Sequence, residues 1–340
     1  MRASIPLAAG LALLFLGACG GESRLPEYEL SGDTMGTTFG VKLVAPPESL
    51  SRQELTDEIS RELEAVNAMT STYIVDSDIS RFNADRSTDW IGVSPEFCNV
   101  VSEALRISEL TDGAFDITVG PLVNLWGFGP ADVAPQPPAE ADIAAAMQRV
   151  GYRRVETRCA EAAMRKNPAD VYIDLSAWAK GYAVDRLAAL LDAHDVENYL
   201  VEVGGELRVR GKNAEQRNWA IAIEKPLPFA RAQERVIRIT DVGVATSGDY
   251  RNFFEYDGQV YSHTIDSRTG RPVAHRLAAV TVIADSTAKA DALATALLVL
   301  GPGEGVALAE KLDVAGYFLV RREDEIEATS TSSFDRWVTM

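Results

Sequence analysis

The chain has 340 residues, 46% of them hydrophobic and 24% charged, with 25 Gly and 15 Pro, a composition that excludes intrinsic disorder, collagen and a coiled coil. At this length about three quarters of the unfolded chain's surface can be buried, enough for one large domain or two small ones. The 33 Lys and Arg against 50 Asp and Glu give a formal charge of −17, which repels a phosphate backbone and argues against nucleic acid as a partner. An anionic small-molecule substrate therefore needs local positive charge from a helix N-terminus, a Lys or Arg, or a bound cation.

Residues 1–18 read as an export signal. Arg2 supplies a short positive region, the apolar run from Leu7 to Leu16 is too short for a membrane-spanning helix, and small residues follow. Leu16-Gly17-Ala18-Cys19 resembles the bacterial lipobox, in which cleavage before the Cys leaves a thiol that is diacylated; the alternative is a secreted protein cut near Ala18. Residues 19–27 then form a tether with a random-coil span of roughly 15–20 Å. The folded body, 28–340, is expected in the bacterial cell envelope, lipid-anchored to a membrane and facing the periplasm. Cys98 and Cys159 remain as either a disulfide or two buried thiols. His194, His263 and His275 have no Cys or His neighbours at zinc spacing.

In chain order, the run from Thr37 to Ala45 has strand character. Ser51 and Glu54 make a capping box before Leu55, Ile59, Leu63 and Val66 at helical spacing. Ser94 as N-cap and Pro95 at the first helical position open a second helix, with a stripe of Phe97, Val100, Val101, Ala104 and Leu105. The Pro-rich stretch 131–142 reads as a surface loop before a helix at about 139–149. Short strands are expected at VETR, AAMRK and VYIDL, then a helix from about Ser176 with Val184, Leu187 and Leu191 on one face. YLVEV, ELRVRG, WAIAIE, RVIRIT, FFEY and QVYSHTID follow as strands, the last two joined by Asp257-Gly258, a hairpin signal. Hairpin-connected strands that outnumber the helices indicate an α+β protein.

No GxxxxGK[ST] or GxGxxG after a strand occurs, and no Ser sits in a GxSxG elbow. Three segments carry unusual chemistry. In VYIDLSAWAKGYAVD, Lys180 falls near the first turn of a helix and opposes its macrodipole. An anion held by the free N–H groups and the ammonium explains that placement; a solvated Lys is the alternative. In ADSTAKADALATALLVLG, Asp285 or Ser286 caps an apolar helix on which Asp291 and Thr295 lie one turn apart. Two hard oxygens at this spacing suit Mg²⁺; the alternative pairs Asp291 with an Arg and bonds Thr295 back to its own helix. The third segment, Val244 to Pro272, combines a Gly-containing turn, the Asp257-Gly258 hairpin and His263.

Together these segments resemble the ApbE family of flavin transferases, the FAD:protein FMN transferases. The resemblance runs in order through TMGTTFGVKL (34–43), MTSTYIVDSDISRFN (69–83), GAFDITVGPLVNLWGFG (113–129), IDLSAWAKGYAVD (173–185), VEVGGELRVRG (201–211), SGDYRNFFEYDGQVYSHTIDSRTGRP (247–272) and ADALATALLVLG (290–301). Ser267 departs from the family's Asp-Pro-Arg-Thr-Gly turn.

The resemblance implies a single α+β domain of strand-rich mixed or antiparallel sheets with packed helices. It also implies Mg²⁺-dependent cleavage of the FAD pyrophosphate, FMN passing to a Ser or Thr hydroxyl of an acceptor protein and AMP leaving. The acceptors would be membrane-associated proteins carrying the FMN-binding domain of redox complexes. By position, the implied metal site is Asp291, Thr295 and the carbonyl of Ala177. The implied flavin and nucleotide contacts are Met35, Tyr73, Ala114, Phe115, Asp116, Asp174, Lys180 and Ile265. His263, two residues before Ile265 and thus on the same face of a strand, is the candidate general base; a structural strand histidine is its alternative. An FAD pyrophosphatase, with water replacing the acceptor, and a flavin-binding lipoprotein without catalysis are the competing readings. From the lipobox, the expected outcome is that a bacterial host incorporates labelled palmitate at Cys19 and that Cys19→Ser moves the protein to the soluble periplasmic fraction; continued membrane association of that variant would contradict the anchor.

Overall fold

A hairpin of β1 (Glu27–Thr34) and β2 (Thr37–Val44) opens the fold, turning at Met35 and Gly36, both at positive φ (50° and 70°), the backbone of a two-residue primed turn. The computed structural model describes residues 24–338 apart from 131–133, 135, 228–231, 251 and 324; the export signal and Cys19 lie outside the described residues. Part of the expected tether is already attached to the body. Leu25 donates its N–H to the Ala214 carbonyl at 3.0 Å, and β1 starts at Glu27.

Helix α1 (Arg52–Thr70) starts at Ser51, whose hydroxyl accepts the Glu54 N–H, and buries Leu55, Ile59, Leu63 and Val66. A short α2 (Asp78–Ala84), capped by Ser77, precedes β3 (Ile91–Gly92). Helix α3 (Pro95–Leu110) is capped by Ser94 and buries Phe97, Val100, Val101 and Ala104. After α4 (Gly120–Leu125) and α5 (Glu140–Met147), β4 (Val155–Arg158) and β5 (Ala163–Lys166) pair, with β3 against the other side of β5. Then come α6 (Ser176–Ala193), β6 (Tyr199–Val203), β7 (Glu206–Arg210), β8 (Trp219–Glu224), β9 (Gln233–Ile239) and β10 (Val242–Gly248). The hairpin β11 (Phe253–Tyr256) and β12 (Gln259–Ser262) turns at Asp257 and Gly258, both at positive φ. The last elements are β13 (Ile265–Asp266), β14 (Arg271–Pro272), β15 (Leu277–Ala284), α7 (Thr287–Lys311), β16 (Ala315–Arg321), β17 (Ile326–Ser330) and α8 (Ser332–Val338).

An eight-stranded antiparallel sheet, β1-β2-β6-β7-β10-β15-β16-β17, organises the domain. Its two covered faces are visible in β15. Val280 and Val282 join a core with Leu293 and Leu297 of α7, while Ala279 and Ile283 join Ile221, Ile237 and Phe334 from β8, β9 and α8. A strand covered on both sides reads as a continuous apolar run, as LAAVTVIA does. Leu293 and Leu297 are each 1% exposed, worth about 2 kcal/mol apiece in apolar burial.

Three expected elements differ. VYIDL belongs to no sheet, and side chains take several of its backbone groups. Asn83 brackets Ile173, accepting its N–H at 2.8 Å and donating to its carbonyl at 2.9 Å, and the fully buried Lys166 donates to the carbonyls of Val171, Phe82 and Asn83. Asp174 is fixed in turn through its N–H on the Ile117 carbonyl at 2.7 Å. The stretch read as a turn before Asp249 is mostly the interior strand β10, whose glycines admit close packing: a Cβ at Gly243 would lie 2.5 Å from Thr287 Oγ1. QVYSHTID breaks after Ser262, so His263 and Ile265 do not share a strand face.

Cys98 and Cys159 form a disulfide with Cα atoms 5.4 Å apart, tying α3 to the turn after β4. The 61-residue separation is long, so the Cys98→Ala/Cys159→Ala double variant should lose about 2–5 kcal/mol in equilibrium urea unfolding; an unchanged midpoint would show that the crosslink adds nothing to stability.

Candidate active site

Helices α6 and α7 cross at Gly181, where a Cβ would stand 2.5 Å from the Thr287 carbonyl oxygen and 2.7 Å from the Ala288 Cα. A glycine is therefore required for the contact. One turn further along α6, Asp185 accepts from Ser286 Oγ (2.9 Å) and from the N–H groups of Thr287 (2.9 Å) and Ala288 (3.0 Å). This carboxylate satisfies the open N-terminus of α7 and complements its dipole.

The crossing sets Asp291 of α7 against the first turns of α6. Asp291 is 3% exposed and accepts the Gly181 N–H at 3.3 Å. In a regular helix that N–H would face the Ala177 carbonyl, but Ala177 has non-helical backbone angles (φ −92°, ψ 23°). Its carbonyl oxygen keeps lone pairs to offer a ligand. Burial raises the Asp291 pKa, opposed by Lys180 and by the Gly181 N–H.

Lys180 reaches across to Glu206, the first residue of β7, with Nζ 2.8 Å from Oε1. The Gly204-Gly205 turn before it runs at φ 60° and 106°, and a Cβ at Gly204 would lie 3.0 Å from Lys180 Cδ. The lysine stem thus lies over a turn that needs glycine for both backbone and space. Burial alone would lower the Lys180 pKa, but Asp291 and Glu206 outweigh it and hold the ammonium above its ordinary value. Burial pushes Glu206 up to about 7, with Lys180 lowering and Asp291 raising it. Glu206 Oε2 is buried and has no hydrogen-bond partner among the described residues.

Thr295, one turn beyond Asp291, shares a hydrogen bond with Ser247 Oγ of β10 at 2.9 Å. The alternative of an Arg partner and a back-bonded Thr is not realised: Asp291 accepts a backbone N–H and feels the Lys180 charge, and Thr295 bonds across to the sheet. Among the described residues, no three His, Cys, Asp or Glu side chains cluster as a metal site. One carboxylate, one hydroxyl and one carbonyl are hard oxygen donors that leave positions for water and phosphate, a set that fits Mg²⁺ and not a thiophilic or imidazole-seeking metal.

His263 is half-buried. Its Nδ1 lies 2.9 Å from the Asn252 carbonyl oxygen, which also receives its backbone N–H at 3.1 Å. A carbonyl accepts only, so Nδ1 carries the proton and Nε2 is the basic nitrogen. Burial lowers the His263 pKa, the Asn252 carbonyl raises it, and Lys180 lowers it further. The ring meets Phe128 edge-on at 6.3 Å, and Phe128, Phe254 and Tyr261 stack in sequence to hold the β11–β12 hairpin.

The remaining expected contacts divide. Asp174 accepts the Ser176 N–H at 2.7 Å and stands near Tyr172, whose pKa is raised by burial and then by Asp174. Tyr73 is 69% exposed, beside exposed Ile74 and Val75, while Met35 sits half-buried at the β1–β2 turn. Ala114, Phe115 and Ile265 have their side chains in apolar cores, which leaves backbone atoms for any ligand. The Asp116 carboxylate is already committed to the Thr118 N–H and hydroxyl and to the Tyr152 N–H. Ser267 does more than fill a turn: its buried hydroxyl donates to the Gly113 carbonyl at 2.6 Å, a bond that proline lacks. Sequence reasoning missed Glu206, Asp185 and Ser247. Glu206 had one usable signal, a carboxylate following two glycines at the start of the alternating strand ELRVR.

The ApbE family model matches residues 35–318. A curated FAD:protein FMN transferase of Vibrio cholerae is 43% identical over 331 residues, covering 96% of this chain and 97% of that protein. One from Haemophilus influenzae is 42% identical over 328 residues, covering 95% and 94%. The solved structure of the flavin transferase ApbE from Vibrio cholerae superimposes with a TM-score of 0.85 at 41% identity, covering 92% of this chain and 99% of that one. Every segment that builds the Lys180–Glu206–Asp291 cluster lies inside the matched region, and the chain is a member of the ApbE family.

Proposed function

We propose that this protein is an FAD:protein FMN transferase that moves FMN from FAD to a Ser or Thr hydroxyl of an acceptor protein and releases AMP, with Mg²⁺ as cofactor. The observation that carries the reading is the convergence of Lys180, Asp291 and the irregular turn at Ala177 in a chain of −17 formal charge. A pyrophosphate needs positive charge, and Lys180 together with a cation held at Asp291 would supply it. Asp291, Thr295 and the Ala177 carbonyl would hold Mg²⁺, which when bound neutralises pyrophosphate charge.

In the transfer, the acceptor oxygen forms a bond to the FMN phosphorus as the bond from that phosphorus to the AMP oxygen breaks. The proton of the acceptor hydroxyl passes to His263 Nε2, the nitrogen left basic by the Asn252 carbonyl. Phosphoryl transfer depends mainly on positioning and charge neutralisation, and a base adds about 10²–10⁴ in rate. Lys180 directs its remaining ammonium protons to phosphate oxygen. We also propose that Cys19 carries the lipid anchor and that the body works in the periplasm; the Cys98–Cys159 disulfide suits an oxidising compartment.

Incubation of the purified protein with FAD, Mg²⁺ and a flavin-acceptor protein should add the mass of FMN to the acceptor and release AMP. FMN release at the same rate without acceptor would identify a pyrophosphatase instead. Asp291→Ala should lower transfer by at least the ten- to hundredfold typical of weaker perturbations around a metal, with circular dichroism unchanged; near-normal activity at low micromolar Mg²⁺ would remove Asp291 from the site. Because the His263 pKa is depressed, the base is neutral at pH 7 and the rate should fall only as pH drops through a value below 6.5. His263→Asn should abolish that acid limb and slow transfer by about 10²–10⁴ at unchanged FAD affinity; a loss confined to FAD binding would exclude the role.

A further inference from the structure

Glu206 is a buried carboxylate that the transfer chemistry does not use, in a site meant for an anionic substrate. It is 4% exposed, bonded through Oε1 to Lys180 at 2.8 Å, and its Oε2 has no partner among the described residues. A negative charge placed there opposes the pyrophosphate unless it performs another task. The geometry supplies one. Lys180 has two carboxylates within its electrostatic reach, Glu206 and Asp291, and Asp291 is bonded only to the Gly181 N–H among the described residues. An ammonium free to choose would settle on Asp291 and neutralise the carboxylate that a cation must use.

We propose that Glu206 is a positioning residue that holds the Lys180 ammonium off Asp291 and so keeps Asp291 available to the divalent cation. The proposal rests on the metal-dependent transfer reading and deepens it. The Gly204-Gly205 turn contributes directly, because Lys180 crosses it in contact that a Cβ at Gly204 would block, so the stem is guided toward Glu206 and away from α7. One ammonium proton is held by Glu206, and the other two remain for phosphate oxygens. The three charges sum to −1 with the pair intact, so the cation still finds a net attraction.

The test is a set of binding measurements that need no turnover: titration of Mg²⁺ into the protein without FAD by calorimetry, repeated with Mn²⁺ by electron paramagnetic resonance. E206A should weaken cation binding about tenfold, within the range seen when a group supporting a metal ligand is lost. The double variant E206A/K180A should return to within about threefold of wild type, because no ammonium remains to occupy Asp291. E206Q keeps an acceptor for Lys180 but carries no charge, and should stay within about threefold of wild type. E206Q as weak as E206A would replace positioning by bulk charge and overturn the proposal, as would unchanged binding in E206A or a double variant no better than E206A. Melting temperatures of all variants identify misfolding, and E206Q decides the case if E206A does not fold. Failure of the wild type to transfer FMN would sink the proposed activity, while the cation-binding set would still decide the role of Glu206.

Discussion

The close crossing of α6 and α7 at Gly181 is the constraint on which the site depends. Two helices whose backbones approach without an intervening side chain can exchange a backbone-to-carboxylate hydrogen bond, and Gly181 to Asp291 is that bond. Asp185 secures the same contact one turn away by satisfying the first N–H groups of α7. The crossing is thus fixed by sterics at one point and by capping at the next, and it brings a carboxylate of one helix to the first turns of the other. Interiors of this density do not deform continuously, so the relation between Lys180 and Asp291 is set by the core itself.

The sheet supplies what the helices lack. β7 brings Glu206 to Lys180 and β10 brings Ser247 to Thr295, each from a strand that pairs at the middle of the eight-stranded order. The two strands are linked to the α6–α7 layer by glycines, Gly204 under Lys180 and Gly243 under Thr287. Functional groups carried on strands and helices of a packed layer are held more tightly than groups on loops. The hairpin that carries His263 is different. A two-stranded ribbon is marginal by itself, and the stacking of Phe128, Phe254 and Tyr261 fastens this one above α4.

The charge balance of the site follows from the same packing. Lys180, Glu206 and Asp291 are mutually dependent: burial penalises each as an ion, and the two carboxylates together keep the lysine charged. An acidic protein thereby presents a local ammonium beside carboxylate and carbonyl oxygens. Glu206 Oε2 is a buried oxygen of this cluster without a hydrogen-bond partner among the described residues.

Much of this was legible in the sequence. The capping signals of α1 and α3, the opening of α6 near Ser176, the Ser286 cap of α7 and the Asp257-Gly258 hairpin are local, depending on hydrogen bonds and turn geometry within a few residues, and the residues that make them stand in the sequence. The motifs that identify the ApbE family are likewise local strings. What the sequence did not contain was the answer to nonlocal competition. VYIDL has strand composition, yet Asn83 and Lys166, about 90 and 5 residues away from the groups they bind, take its backbone instead of a neighbouring strand. Ser247 and Glu206 became visible as site residues only when β10 and β7 reached α7 and α6, because a side chain's partner across the core is decided by which backbones can approach, and that is a property of the folded packing rather than of spacing along the chain.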